Sequence, residues 1–305
     1  MSERSSLTRA VAILSVALVL AACARFGGTP PSSSPSPDDT ISHPAGDELV
    51  LRVEHLGGFV PADYLLSRLP VFTLTGDGRV IVLGAQDLSY PGPLLPPILV
   101  RGLDETGIQA VLREVLASGQ LDADHEWRGA QMHVADAADT VFTLRAGGRE
   151  VRVLVYGPGT MDAGMTGLSA EEREAHASLS ALLERLSDLG GWLPASDWTD
   201  ADWQPYESDA LRLLVRDADG EAPEAGGLVR EERPWPVGGD PARFGAPSVG
   251  DQLRCRVVVG ADAASWYEAL ASADQLTRWT HGGHRYQVIA RPLLPDEPRE
   301  CPAPA

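Results

Sequence analysis

The sequence predicts an α+β fold in two units, each an antiparallel, hairpin-rich sheet covered by amphipathic helices. Three observations carry this expectation. Apolar β-type runs come in pairs around glycine turns, amphipathic helical stripes stand between those pairs, and single strands do not alternate with helices as a parallel sheet requires.

From Glu48 onward, Leu49, Leu51 and Val53 alternate with Val50, Arg52 and Glu54, the period of a strand. LPVFTLTGDGRVIVLG, residues 69–84, then sets two apolar runs around Gly76-Asp77-Gly78, a hairpin whose glycines tolerate positive φ. The prolines of YPGPLLPP, residues 90–97, confine that stretch to a loop or an edge. Residues 104–118 read as a helix: Ile108, Val111, Leu112, Val115 and Leu116 form one stripe, Asp104 caps it and Gly119 stops it. A second hairpin turns at Gly147-Gly148. A longer helix follows, opened by a Ser169/Glu172 capping box, striped by Leu179, Leu182, Leu183, Leu186 and Leu189, and ended by Gly190.

Composition breaks at GGWLPASDWTDADWQPYESD, residues 190–209, which sets a first unit at 47–192 and a second at 193–305. The second unit offers a strand at Leu211, Leu213 and Val215, a strand in LRCRVVVG, a helix over 262–273 and a closing strand in HRYQVIARPLL.

The N-terminus has three zones: MSERSSLTR with Arg4 and Arg9, an apolar run over residues 10–20, and Ala21-Ala22 before Cys23. This is the pattern of a secretory signal peptide, residues 1–22. This run of 11 residues is short of the ~20 that a membrane-spanning helix needs. Leu20-Ala21-Ala22-Cys23 also resembles the lipobox of bacterial lipoproteins, which implies cleavage before Cys23, acylation of that cysteine and attachment to a membrane from outside the cytoplasm. Residues 23–46, rich in Pro and Ser, read as a tether. With Cys23 lipidated, Cys255 and Cys301 are left in an oxidising compartment, where a pair forms a disulfide.

The formal charge of −18 argues against nucleic acid and anionic lipid headgroups as partners of the domain surface. All 25 basic residues are arginine, and the chain has neither lysine nor asparagine. That excludes Schiff-base, P-loop and Ser-Lys chemistry as well as Asn-linked glycosylation. HExxH, GxSxG and GxGxxG are missing from the sequence, so no catalytic residue is assigned and no cofactor is expected.

Two short motifs are metal-like. His281-Gly282-Gly283-His284 has only Asp274 as a nearby third ligand, and RDADGE, residues 216–221, starts like a calcium loop without the later ligands. Both read as solvated turns, and no metal site is assigned. Trp192, Trp198 and Trp203, with Tyr206 behind them, are candidate aromatic contacts for a sugar ring or a partner; the alternative is packing between the two units. Tyr90 carries the same two readings.

GGFVP (57–61), LPVFTLTGDGRV (69–80), YPGPLLP (90–96) and ARPLLPDE (290–297) before Cys301 resemble stretches of a group of uncharacterised lipoproteins from high-GC bacteria. Glu184-Arg185-Leu186, Trp235-Pro236 and Trp279 add to the likeness. It implies architecture and anchoring, and no activity. The first unit alone, through its GGF segment, its helix and ADTVFTLRAGGREVRV, is similar to emfourin-type inhibitors of thermolysin-like metalloproteases. The expectation is a lipid-anchored extracytoplasmic binding module for an envelope protein or glycan, with protease inhibition and glycan hydrolysis as alternatives.

Overall fold

In the computed structural model the described residues are 40–86, 89–129, 137–157, 168–222, 224–248 and 252–302. Residues 1–22 and Cys23 lie outside them. Ile41–Ala305 forms one unit that holds two sheets.

The first sheet is built from β1 (Leu49–Gly57), β2 (Phe72–Thr75), β3 (Arg79–Leu83), β4 (Ile98–Gly102), β5 (His125–Trp127), β6 (Ala138–Ala146), β7 (Arg149–Tyr156) and β8 (Gln204–Pro205), in the order β5-β7-β6-β1-β2-β3-β4-β8. All its pairings are antiparallel except β5 with β7. The predicted β2–β3 turn needs glycine at Gly78: φ is +84°, and a Cβ there would run into the Leu103 carbonyl.

Helices α2 (Glu105–Ala117) and α3 (Ala170–Ser187) cover one face of this sheet. Asp104 caps α2 by accepting from Gly107 N–H at 2.9 Å. The Ser169/Glu172 box closes in both directions, at 3.1 and 2.8 Å. Such caps stabilise by about 1 kcal/mol. Ile108, Val111, Leu112 and Val115 of α2 and Leu179, Leu182 and Leu186 of α3 meet Leu51, Val53, Phe72, Leu74, Phe142 and Leu144 from the strands. Each such burial contributes roughly 1.5–3 kcal/mol.

The second sheet comprises β9 (Ala210–Asp217), β10 (Glu232–Pro234), β11 (Ala246–Pro247), β12 (Arg254–Val259), β13 (Arg278–His281) and β14 (His284–Pro292), ordered β10-β13-β14-β9-β12-β11. Helix α4 (Gly260–Leu270) covers one face. Beneath it Trp235, Phe244, Trp266, Trp279 and Tyr286 pack edge to face, with centroids 5.0 Å apart for Trp235–Trp266 and 6.0 Å for Trp266–Trp279. The disulfide between Cys255 and Cys301 is present, joining β12 to the end of the chain across a Cα–Cα distance of 5.8 Å.

The boundary placed between residues 192 and 193 does not coincide with the change of sheet. The segment after α3 keeps packing on the first core through Leu193 and Trp198, and β8 pairs with β4, so the chain passes to the second sheet between Pro205 and Ala210. Within the stretch expected to be a tether, residues 23–46, Ile41 and Ser42 belong to the folded unit. Ile41 exchanges two hydrogen bonds with Gln109, at 2.9 and 2.8 Å, and packs against the first core, while Ser42 O accepts from Gly147 N–H at 2.7 Å.

The faces that the helices leave bare turn toward each other. Leu294 packs on Ile81 and Ile98 of the first sheet, and Leu66, from the short helix α1 (Ala62–Ser67), packs on Leu214 and Ile289 of the second. Between them lies a buried ionic cluster. Arg52 of β1 binds Asp296 through two contacts of 2.7 Å, Arg291 of β14 binds Glu297 at 2.7 and 2.6 Å, and Arg291 Nε donates to the Arg68 carbonyl at 3.0 Å. The ARPLLPDE stretch is thus an inter-sheet clamp.

Candidate functional site

Of the three tryptophans expected to offer a contact surface, Trp198 alone is corrected by its position. Trp198 is buried, with Arg101 stacked 3.9 Å from its ring centre and Trp203 edge-on at 5.9 Å. Trp192 and Trp203 are half-buried against the first core, and Trp192 Nε1 donates to the Arg185 carbonyl at 2.9 Å. Tyr206 is half-buried beside Leu69, Ile81 and Ile98, and its hydroxyl is pushed up from the ordinary tyrosine value by burial. The physical reason is the route of the chain: residues 192–206 complete the first core and its last strand, where bulky apolar rings are driven inward.

Among the described residues the exposed aromatic side chains are Phe59, Tyr64 and Tyr90, at 84%, 40% and 59%. Tyr64 and Tyr90 line one cleft. Its first wall is the YPGPLLPP loop. Proline denies this stretch a strand ladder, and it reaches from β3 to the second sheet, where Leu94 N–H donates to the Ala273 carbonyl at 2.9 Å and Gln275 N–H to the Gly92 carbonyl at 3.0 Å. Leu94 and Leu95 pack on the second core, which holds the loop in place.

The second wall is α1. Gly57 and Gly58 take positive φ, +65° and +83°, and swing the chain out of β1, exposing Phe59 at the tip. Pro61 then opens the helix. Asp63 accepts from Arg216 at 3.1 and 2.8 Å and from Gln287 Nε2 at 3.0 Å, which fixes α1 against β9 and β14. Arg216 Nε closes the ring by donating to Gln287 Oε1 at 2.8 Å.

The floor and far wall come from the second sheet and from residues that precede β10: Glu221, Glu224, Arg230, Leu276, Arg278 and Val288. Arg278 is buried and donates to Glu221 at 2.8 Å, and Arg230 donates to Glu224 at 2.6 Å. The cleft has a volume of about 750 Å³. A smaller hollow of about 270 Å³ adjoins it, sharing Tyr64, Ser67, Tyr90, Leu94 and Gln275. These volumes are of small-ligand size, roughly 300–1,000 Å³ for such sites.

This cleft lies at the Gly57 end of β1. The described chain enters at the other end: Ser42 binds the β6–β7 turn at Gly147, and in the β1–β6 register Leu51 faces Leu144 while Gly57 faces Ala138. A strand of 9 residues separates the two ends by roughly 30 Å.

The two metal-like motifs come together, but as a surface pair. His284 Nδ1 lies 2.6 Å from Asp219 Oδ2, and Arg285 N–H donates to Asp219 Oδ1 at 2.9 Å. The hydrogen bond pushes the His284 imidazole up from its ordinary value and the Asp219 carboxyl down. Asp274 binds its own turn through Leu276 N–H and Thr277, away from that pair. No group of three or more His, Cys, Asp or Glu side chains among the described residues is arranged to hold a metal ion, and no described helix is long and apolar enough to cross a membrane.

Sequence reasoning marked Tyr90 but not Tyr64, Asp63, Arg216 or Gln287. Alternation along β9 and β14 shows that Arg216 and Gln287 leave the α4-covered face; it does not show that α1 packs there. Comparison of the chain with protein-family models, curated proteins and solved structures finds no match. Geometry and residue chemistry therefore carry the functional reading.

Proposed function

We propose that this chain is a lipid-anchored extracytoplasmic lipoprotein whose folded unit binds a component of the cell envelope through the Tyr64–Tyr90 cleft. The likeness to lipoproteins of high-GC bacteria and acylation at Cys23 belong to this reading, as do two α+β parts built around separate cores. One observation carries it: all seven tryptophans are buried or half-buried, yet Tyr64 and Tyr90 stay exposed on two independently anchored walls of one cleft. Leaving apolar rings in water is unfavourable unless something covers them in use. Ser42 meets the fold at the end of β1 opposite the cleft.

Binding is favoured over hydrolysis by the carboxylates. A glycosidase needs one carboxylic acid free to protonate the leaving group. Asp63, Glu221 and Glu224 are each held by an arginine.

The test is capture of isolated bacterial envelope fragments by the full chain, compared with Tyr90→Ala and Tyr64→Ala chains whose folding is checked by circular dichroism. Retention by the wild type and loss in both variants is expected. Equal retention by all three would refute the cleft as the contact.

Phe59 favours a second reading. At the tip of the Gly57–Gly58 turn it offers the kind of projecting ring an inhibitor inserts into a protease pocket, in line with the likeness to emfourin-type inhibitors. This reading expects the chain to inhibit a thermolysin-like protease and Phe59→Ala to abolish inhibition; an inert wild-type chain rejects it.

A further inference from the structure

The charges of the cleft name the chemistry of its occupant. Three carboxylates and three guanidinium groups line it: Asp63, Glu221 and Glu224 against Arg216, Arg230 and Arg278. Every one is engaged by an opposite charge within the wall, at 2.8 Å for Asp63–Arg216, 2.8 Å for Glu221–Arg278 and 2.6 Å for Glu224–Arg230. An anionic or cationic ligand would have to break one of these pairs and strand its partner in a partly buried place. The lining therefore selects against net charge while presenting a fixed array of donors and acceptors. Asp63, Arg216 and Gln287 form a closed ring of hydrogen bonds, so their spare lone pairs and N–H groups are already oriented.

Above this polar floor stand two tyrosines. Arg68 lies 4.9 Å from the ring centre of Tyr64 and holds it in place, while Tyr90 is exposed on the YPGP loop. Aromatic faces pack against flat apolar surfaces, and the C–H face of a pyranose ring is one. Its hydroxyls each donate and accept, which matches a lining of carboxylates, amides and guanidinium groups.

Resting on the binding-module reading above, we infer that the cleft binds a short, neutral oligosaccharide segment, with Tyr64 and Tyr90 against sugar ring faces and Asp63, Arg216 and Gln287 hydrogen-bonded to its hydroxyls. A proline-rich peptide also stacks on tyrosines, but its proline-rich backbone supplies mainly acceptors. It would cover the acceptor oxygens of Asp63, Glu221 and Glu224 without giving them donors.

The test is calorimetric titration of the full chain, held in a zwitterionic detergent that lacks sugar headgroups. The probes are neutral hexose and N-acetylhexosamine oligomers, uronic-acid oligomers and a proline-rich peptide. The expected result is saturable binding of a neutral oligomer, about tenfold weaker in Tyr90→Ala, restored in Tyr90→Trp, and weakened in Gln287→Ala. The uronic-acid oligomer should bind more weakly than its neutral counterpart.

No binding of neutral oligomers, with envelope capture still dependent on Tyr64 and Tyr90, overturns this inference and leaves the binding module standing. Loss of both overturns both. Preferred binding of the peptide or of the uronic-acid oligomer, abolished by Tyr90→Ala, overturns the neutral-sugar assignment in favour of that ligand.

Discussion

Glu297→Ala tests whether the buried ionic cluster locks the two sheets together. The Glu297 side chain is 9% exposed and accepts from both terminal nitrogens of Arg291, itself 10% exposed, and from Leu294 N–H at 2.9 Å. Arg52 NH1, 3.8 Å away, would keep Asp296 as partner. The substitution therefore strands one buried guanidinium and one backbone N–H. Removing one member of a buried pair costs about 3–5 kcal/mol, against 0–1 for an exposed pair. At roughly 2–4 °C per kcal/mol for a chain of this size, Tm should fall by about 10 °C. The assay is thermal and urea unfolding followed by tryptophan fluorescence, with Glu150→Ala as control, because Glu150 binds Arg145 at 2.8 Å with both side chains well exposed. The pH dependence adds a second check. Burial alone would raise the Glu297 carboxyl, but Arg291 overcomes that and holds it below the ordinary range. Its stabilisation is therefore present above the unfolded carboxyl value and is lost as pH falls through the lower folded one. A Glu297→Ala loss no larger than that of Glu150→Ala, or acid sensitivity unchanged by the substitution, would refute the lock.

Trp198→Ala should destabilise by about 3–5 kcal/mol in the same unfolding assay while leaving the affinity of the folded chain for envelope material unchanged, since the ring is buried away from the cleft lining. His176 is fully buried, and burial pushes its imidazole below the ordinary value near 6.5; Glu172 pulls the other way, as does the Trp127 backbone, which lies outside hydrogen-bond geometry. The unfolded chain then binds the proton more readily, so stability is full above about pH 6.5 and falls as pH drops below it. Urea midpoints measured across that range should flatten in His176→Leu. Reducing the Cys255–Cys301 bridge, which closes a separation of 46 residues, should cost roughly 4 kcal/mol by unfolding in the presence of reductant. Cys23→Ser should release the chain from membranes, and mass spectrometry of the wild type should find acyl groups on Cys23.

Local chemistry was legible wherever it acts within a dozen residues. Asp104 and the Ser169/Glu172 box cap the helices they announce, and glycine turns join the hairpins where they fall. The cysteine count led to the bridge through a compartment argument, not through geometry. The edge strands β5, β8, β10 and β11, of only two or three residues, carry no period to read, because their partners define them. Trp198 misled because aromatic density signals burial and contact equally well. The cleft depends on α1 packing beside β9 and β14, through partners 153 and 224 residues away in the chain. Nothing local to Asp63 announces Arg216, and the pairing follows only from the back-to-back sheets.

Strand β14 sits between β13 and β9, and the residues after it supply Asp296, Glu297 and Cys301. The stretch from His284 to Cys301 is therefore the keystone of the second sheet, of the clamp and of the bridge. Without it β9 lacks one neighbour and Arg52 has no counter-charge. The hairpins of the first sheet close through contacts local in sequence, while the lock between the sheets joins residues 244 apart. Displacing that one stretch would therefore open the second sheet, the lock and the bridge together.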